Sequence, residues 1–139
     1  MAIDPMRNYP GYALRRASCA AIAGFARRLA GFKLRPSEAT VLMVIHANPN
    51  ITQSEIGRML DIATANMAPL VSRLEEREFV ERRPVDGRSH GLCLTSTGRS
   101  ITMKVKKAID AHEEDILTRI PASQREAFLA VLHAIWTWD

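Results

Sequence analysis

The segment between residues 52 and 95 constrains the fold of this chain more than any other part. Two amphipathic stretches, Thr52–Leu60 and Ala63–Arg77, are separated by a tight turn, and Phe79–Thr95 contains two β-rich runs around a charged loop. Helix, turn, helix and hairpin in this order predict a winged helix-turn-helix. In that unit the second helix enters the DNA major groove, while the hairpin lies over the adjacent backbone or minor groove.

Helical periodicity continues on both sides of this segment. A long helix is predicted from Pro10, a second begins at Pro36 and breaks at Asn48-Pro49-Asn50, and a third runs from about 96 to 119. Capping boxes are predicted at Thr52–Glu55 and Ser123–Glu126, each opening a helix. We therefore expect a mostly α chain with a small β-hairpin (α+β). It forms one domain over 1–139, with a winged unit at about 36–98 and dimerisation helices at about 1–34 and 99–139.

The dimer is expected because the outer helices carry more apolar surface than is needed to cover a three-helix DNA-binding unit. Helices with such surplus apolar faces usually pair in a two-fold dimer. Residues expected to be buried within the winged unit include Ile56, Met59 and Leu60 on its first helix and Met67, Leu70, Val71 and Leu74 on its second. Trp136 and Trp138 are expected in the dimer interface.

Composition excludes several classes of protein. The chain has 139 residues, of which 47% are hydrophobic and 24% charged, the balance of an ordinary globular domain. Neither a secretory signal nor a membrane-spanning stretch is recognisable, and two distant cysteines form no disulfide framework. We expect a cytoplasmic protein without metal, cofactor or membrane partner. No catalytic constellation is recognisable, so an enzyme is not expected.

The positive charge is local. Net charge is +4, but residues 1–36 hold seven Arg or Lys residues against Asp4 alone, and the wing holds Arg82, Arg83 and Arg88 close together. A polyanion such as double-stranded DNA is therefore the expected partner on the wing side. A basic balance alone predicts little, and the order of the motifs is the stronger indication.

Several motifs resemble the MarR family of bacterial regulators when taken together. They are Leu34-Arg35-Pro36-Ser37-Glu38, Ile51-Thr52-Gln53-Ser54-Glu55-Ile56-Gly57, Val80-Glu81-Arg82-Arg83, Asp86-Gly87-Arg88 and Leu94-Thr95-x-x-Gly98. The resemblance covers nearly the whole chain. It implies a winged-helix homodimer that binds palindromic DNA, usually as a repressor, and releases it when a small ligand binds. Two departures stand out. Gly87 replaces a common arginine at the wing tip, and Pro69 lies inside the second helix, where a kink or a delayed helix start is expected.

The early residues of the second helix are the candidates for reading bases. Asn66 can pair with adenine, and Arg73 can take guanine or a phosphate, unless Arg73 instead pairs with Glu76 along a solvated face. Arg88 is expected in the minor groove with its guanidinium held by Asp86, although Asp86-Gly87 also fits an ordinary hairpin turn. The full set of expected DNA contacts is Ser54, Thr64, Ala65, Asn66, Ala68, Pro69, Ser72, Arg73, Arg82, Arg83, Asp86 and Arg88.

The resemblance also implies an effector pocket between the dimer helices and the winged unit. Its expected lining is Tyr12, Arg15, Arg16, Cys19, Phe25, Met43 and His46. The arginine-rich first helix suits an anionic aromatic acid or a CoA thioester, although these arginines can equally solvate the helix or approach DNA. Two alternatives stay open: a redox-sensing regulator based on Cys19, and a winged-helix interaction module that does not bind DNA.

Overall fold

The computed structural model describes residues 1–138, and within them the chain forms six α-helices and three short strands. Two 3₁₀ turns, Ala30–Phe32 and Ala122–Gln124, follow the first helix and precede the last. In chain order the elements are α1 (Pro10–Leu29), α2 (Pro36–Ala47), β1 (Ile51–Thr52), α3 (Gln53–Leu60), α4 (Thr64–Glu76), β2 (Val80–Pro84), β3 (His90–Leu94), α5 (Ser96–Leu117) and α6 (Arg125–Trp136).

The predicted hairpin is present and is joined by a third strand. The sheet is antiparallel in the order β1-β3-β2, with Val80 opposite Leu94 and Pro84 opposite His90 across the hairpin. β1 pairs Ile51 with Leu92 on the other side of β3. This strand was not predicted, because two residues are too few to show an alternating pattern. It anchors the base of the wing beside the start of α3.

The core is centred on the winged unit and is closed by α1 and α5. Leu29, Leu42, Ile56, Leu74 and Val105 are fully buried and bring side chains of α1 to α5 together. The four residues predicted to be buried on α4 are buried. The same prediction is wrong for Met59, which is 54% exposed because it lies on the outer face of α3.

Two predictions about helix starts also need correction. The Ser123–Glu126 capping box does not form: a 3₁₀ turn occupies 122–124, and α6 begins at Arg125 after Gln124, whose side chain makes no capping bond. The delayed start expected for the second helix is wrong as well. α4 begins at Thr64 with Pro69 inside it, after Ala63, whose carbonyl accepts the N–H groups of Asn66 and Met67.

α6 and parts of α1 present apolar side chains to solvent. No residue of α6 is buried, and Trp136 is 75% exposed. The other large apolar side chains exposed on these two helices are Leu14, Ile22, Phe128, Leu129, Val131 and Ile135. So many exposed large apolar side chains on two helices are typical of a protein interface rather than of a solvated surface.

Candidate nucleic-acid interface

The helix-turn-helix is built from short-range polar contacts. Thr52 caps α3, because its hydroxyl accepts the N–H of Glu55 while the Glu55 carboxylate accepts the N–H and hydroxyl of Thr52. These bonds lower the pKa of Glu55. The turn then reverses through Asp61, which has a left-handed backbone (φ 52°), and the N–H of Ile62 donates to Gly57. α4 is thereby presented immediately after α3.

α4 exposes a face of small and polar side chains along its N-terminal half. All six of its predicted DNA contacts before Arg73 are exposed: Thr64, Ala65, Asn66, Ala68, Pro69 and Ser72. Ser54, on α3, is exposed too. Pro69 lacks the N–H that would bond to the Ala65 carbonyl, and both residues lie on this solvent-facing side. This face can therefore enter a DNA groove without steric interference from large side chains.

Arg73 lies at the edge of this face and is tied to the protein interior. Its Nε donates to Glu38 Oε1 at 2.9 Å, and the Glu38 side chain is only 6% exposed. The other carboxylate oxygen of Glu38 accepts the backbone N–H of Arg35 at 3.1 Å, at the start of α2. The alternative pairing of Arg73 with Glu76 is therefore wrong, since the carboxylate that holds it comes from α2.

The tip of the wing is organised by Asp86. Its Oδ1 accepts the backbone N–H groups of Arg88 (2.9 Å) and Ser89 (2.8 Å), and these two bonds lower the pKa of Asp86. The carboxylate therefore caps the turn and does not hold the guanidinium of Arg88, which corrects the pairing expected between them. In the described part of the chain, the Arg88 side chain has no ion-pair or hydrogen-bond partner and is exposed.

The two arginines on β2 are held differently. Arg82 donates through Nε to Glu75 of α4 at 3.0 Å and through Nη2 to Gln53 of α3 at 3.2 Å. Its Nη2 also lies 3.0 Å from the same Glu75 oxygen, as an ion pair. Arg83 directs Nε and Nη2 at one oxygen of Glu81, at 3.1 and 2.6 Å, and this carboxylate raises the pKa of Arg83. Both arginines are exposed, yet each already has a carboxylate partner.

Sequence reasoning missed a further cation, Arg58. It is exposed on α3 and lines a concavity of about 540 Å³ together with Ser54, Asp61, Thr64 and neighbouring residues. The signal was available, because Arg58 lies four residues after Ser54 and therefore on the same face of α3. The concavity opens between α3 and the first turn of α4, beside the predicted reading face.

The residues predicted to line an effector pocket are distributed over α1 and α2. On α1, Tyr12 donates to Asp4 Oδ2 at 3.3 Å and accepts from Arg16 at 3.1 Å, while Arg15 and Cys19 are exposed. Phe25 stacks on the buried His112 of α5, with ring centroids 5.5 Å apart. On α2, Met43 is half-buried against the core and His46 is exposed. Five of the seven residues thus lie on α1 and two on α2.

Two other properties concern residues 1–138 as a whole. No helix there is both long and apolar enough to cross a membrane. No cluster of three or more His, Cys, Asp or Glu side chains is placed to hold a metal ion in this part of the chain. Cys19 is exposed, and Cys93 is buried with its thiol 3.1 Å from Asn50 Oδ1.

Comparison with known proteins decides the family. A sequence model of the MarR family matches residues 32–89, which contain α2 to α4 and most of the wing. The transcriptional repressor CouR, solved bound to a 23-mer DNA duplex, is 33% identical, with a TM-score of 0.87 and 97% of each chain covered. The chain belongs to the MarR family. The predicted family and winged-helix fold are thereby confirmed.

Two further likenesses place this MarR-family chain among transcriptional regulators. CouR bound to p-coumaroyl-CoA is 28% identical, with a TM-score of 0.90, and the match covers 100% of this chain and 99% of that one. A protein of Thauera aromatica, named as a transcriptional regulatory protein for the hcr operon, is 26% identical over 132 residues. That match covers 93% of this chain and 80% of the relative. The chain is a winged-helix transcriptional regulator.

Proposed function

We propose that the chain acts in the cytoplasm, not as an enzyme but as a homodimeric repressor. It binds a palindromic operator through α4 and the wing and releases it on binding an anionic aromatic effector. The observations that carry the proposal are the small, polar and exposed face of α4 and the exposed Arg88 at the wing tip, whose side chain has no partner within residues 1–138. A helix of this kind fits the major groove, and a free wing arginine suits the negative potential of a narrow minor groove.

Individual contacts follow from exposure and chemistry. Asn66 supplies the donor and acceptor pair that matches adenine, while Ala65, Ala68 and Pro69 offer apolar groups for thymine methyls. Ser54 and Arg58 on α3 are placed for the phosphate backbone, which the first helix of such a motif crosses. The proposed phosphate contacts of Arg82 and Arg83 compete with the carboxylates that already hold them.

A second copy of the chain is the proposed cover for the apolar faces of α1 and α6. Trp136, Leu129 and Ile22 are each more than half exposed, which is costly for single chains in water. A two-fold pair would also present two α4 helices to one duplex, as a palindromic operator requires. Sedimentation equilibrium should give twice the chain mass of 15.5 kDa, and Leu129→Glu should shift the population towards monomer.

The proposed effector is an anionic aromatic compound or its CoA thioester. Support comes from the exposed Arg15 and from Arg16, which already donates to Tyr12 on the same face of α1. Further support is the likeness to CouR, which binds p-coumaroyl-CoA. The proposed lining also includes Cys19, Phe25, Met43 and His46.

Two measurements test the proposal. Genomic fragments that bind the protein should be selected first, and the enriched duplex then titrated with wild type, Asn66→Ala and the exposed control Asn8→Ala. Loss of the Asn66 contact should cost about 1–3 kcal/mol on the selected duplex and little on random DNA. If the protein enriches no sequence, the repressor proposal fails and the interaction-module alternative is favoured.

The effector is tested on the bound complex. p-Coumaroyl-CoA, p-coumarate and free CoA should be added separately to the protein–duplex complex, with release followed by fluorescence anisotropy. Release by the thioester or the acid, weakened in Arg16→Gln but not in Arg119→Gln, supports the α1 site. The Cys19 alternative rests on its exposure alone, and release by an organic hydroperoxide that Cys19→Ser abolishes would favour it.

A further inference from the structure

The wing contains two kinds of arginine. Arg88 at the tip is unpaired within residues 1–138, whereas Arg82 and Arg83 on β2 are each joined to a glutamate. All three are exposed, so burial does not explain the difference. The distinction instead lies in Glu75 and Glu81, whose carboxylates stand next to the arginines expected to contact DNA.

The geometry matters because these glutamates occupy one of the guanidinium edges that can hold a phosphate, and they offset the guanidinium charge. An arginine binds a carboxylate or a phosphate through the same planar pair of N–H groups. Arg83 directs both Nε and Nη2 at Glu81 Oε1, and Arg82 directs Nε and Nη2 at Glu75 Oε1. Gln53 further fixes Arg82 to α3. A phosphate can use the Nε/Nη2 side of either arginine only by displacing a carboxylate. At the Nη1 end of the guanidinium it meets a cation whose charge that carboxylate already offsets.

We propose that Glu75 and Glu81 are specificity-determining residues: they neutralise the wing arginines and so limit how tightly the protein binds DNA of arbitrary sequence. This inference rests on the proposed DNA binding and concerns the regulation of that same surface. Non-specific affinity comes almost entirely from cations that replace condensed counterions on phosphates. A guanidinium that gives up a carboxylate to take a phosphate gains little, so Arg82 and Arg83 contribute weakly to that affinity.

The wing arginines therefore differ in which DNA they contact. Arg88, which has nothing to displace, is available on any duplex. The paired arginines are drawn in only where α4 is seated and the wing is pressed against one position on the backbone. Because a genome offers a vast excess of competing non-specific sites, reduced non-specific binding favours occupancy of the operator.

The test compares charge-neutral variants on a duplex of random sequence. Glu81→Gln keeps the length and an acceptor oxygen while removing the charge, and Glu75→Gln does the same on α4. Each should steepen the slope of log affinity against log salt concentration by about 0.9, and the double variant by about 1.8. If the curves converge near 1 M salt, that slope corresponds to roughly eightfold tighter non-specific binding at 0.1 M for each single variant.

Glu114→Gln is the matched control. Glu114 is exposed on α5, 18 residues beyond the helix start and therefore about 27 Å along its axis, well past the Debye length of about 10 Å at 0.1 M salt. It should leave the slope unchanged. Thermal unfolding of Glu81→Gln should match wild type, since an exposed pair adds little to stability.

The outcomes separate this inference from the proposed function. Steeper slopes for the wing variants and not for Glu114→Gln support it. Wild-type binding with no difference between Glu81→Gln and Glu114→Gln overturns the inference and leaves DNA binding intact. Failure of wild type and every variant to bind any duplex at low salt overturns both.

Discussion

Arg73 of α4 and Glu38 of α2, 35 residues apart in sequence, form a hydrogen-bonded ion pair with a separation of 2.9 Å. The carboxylate is almost fully buried and also accepts the backbone N–H of Arg35, the residue just before its own helix. The pair therefore fixes the reading helix against the helix behind it. In this setting the charge of Arg73 serves to satisfy Glu38, and only the outward part of its guanidinium can face DNA.

Removal of the Arg73 side chain should therefore lower the free energy of unfolding. Arg73→Ala leaves a buried carboxylate without its partner, and because the arginine is 38% exposed we expect a loss of about 2 kcal/mol rather than the full cost of a buried charge. Urea unfolding measures this loss of free energy of unfolding. The control is Lys106→Ala, which breaks the exposed Lys106–Asp110 pair and should cost no more than about 0.5 kcal/mol. Equal losses in the two variants would show that Arg73 has no special positioning role.

Glu78 occupies a backbone conformation that favours glycine. α4 ends in a Schellman motif, with the N–H of Phe79 bonded to Leu74 and that of Glu78 bonded to Glu75, and Glu78 itself has φ 59°. Glu78→Gly should relieve the clash of Cβ with the backbone and stabilise the protein by about 1 kcal/mol. For a chain of this size the melting temperature should rise by roughly 3–5 °C in calorimetry.

The companion variant for this position is Glu78→Ala. It removes the same carboxylate but keeps a Cβ, so the left-handed strain remains and no comparable gain is expected. If alanine stabilises as much as glycine, the effect belongs to the lost charge and the backbone argument fails.

Asp86 makes the wing turn sensitive to acid. Its pKa is lowered from the ordinary value of 3.8 because the N–H groups of Arg88 and Ser89 donate to the carboxylate. A lowered folded-state pKa means that the carboxylate stabilises the turn fully above about pH 3.8 and loses this effect as pH falls through the lowered value. In an NMR titration, the Asp86 carboxyl should titrate below 3.8, together with the amide signals of Arg88 and Ser89.

Asp86→Asn supplies the comparison for that titration. The amide oxygen can still accept a hydrogen bond but does not titrate, so the two amide signals should become insensitive to pH in this range. A carboxyl that titrates at its ordinary value in the wild type would show that the turn is not held by these bonds.

The sequence could predict the order of helices and the hairpin because each depends on local patterns. The periodicity of α4, the Thr52–Glu55 cap and the Asp86-Gly87 turn are all visible within a few residues. β1 could not be found in this way, since Ile51 and Thr52 become a strand only by pairing with Leu92 and Gly91, about 40 residues later.

The site was predictable in its location but not in its pairing. Exposure of Asn66 and its neighbours follows from the helical period, as does the place of Arg88 on the loop. The partners of Arg73 and Arg82 depend on how helices and strands pack, whereas Glu81 lies two residues before Arg83 on the same strand and face. Spacing suggested Glu76 for Arg73, whereas packing placed Glu38 there. Acidic residues near a basic patch are therefore informative only once the fold is known.

The packing of Phe79 against the start of α5 requires a glycine at position 98. A Cβ at this position would lie 1.9 Å from the carbonyl oxygen of Phe79, far inside any permitted contact. The same carbonyl accepts the N–H of Thr95, so it is held in place and cannot retreat without breaking the junction between the wing and α5. Gly98→Ala should cost at least about 3 kcal/mol, at the upper end of overpacking effects, measured by urea unfolding.

The control Gly11→Ala, where a Cβ meets nothing within 4 Å in the first turn of α1, should lose no stability. A Gly98→Ala protein as stable as wild type would mean that Phe79 can move, and that the junction does not fix the wing against α5.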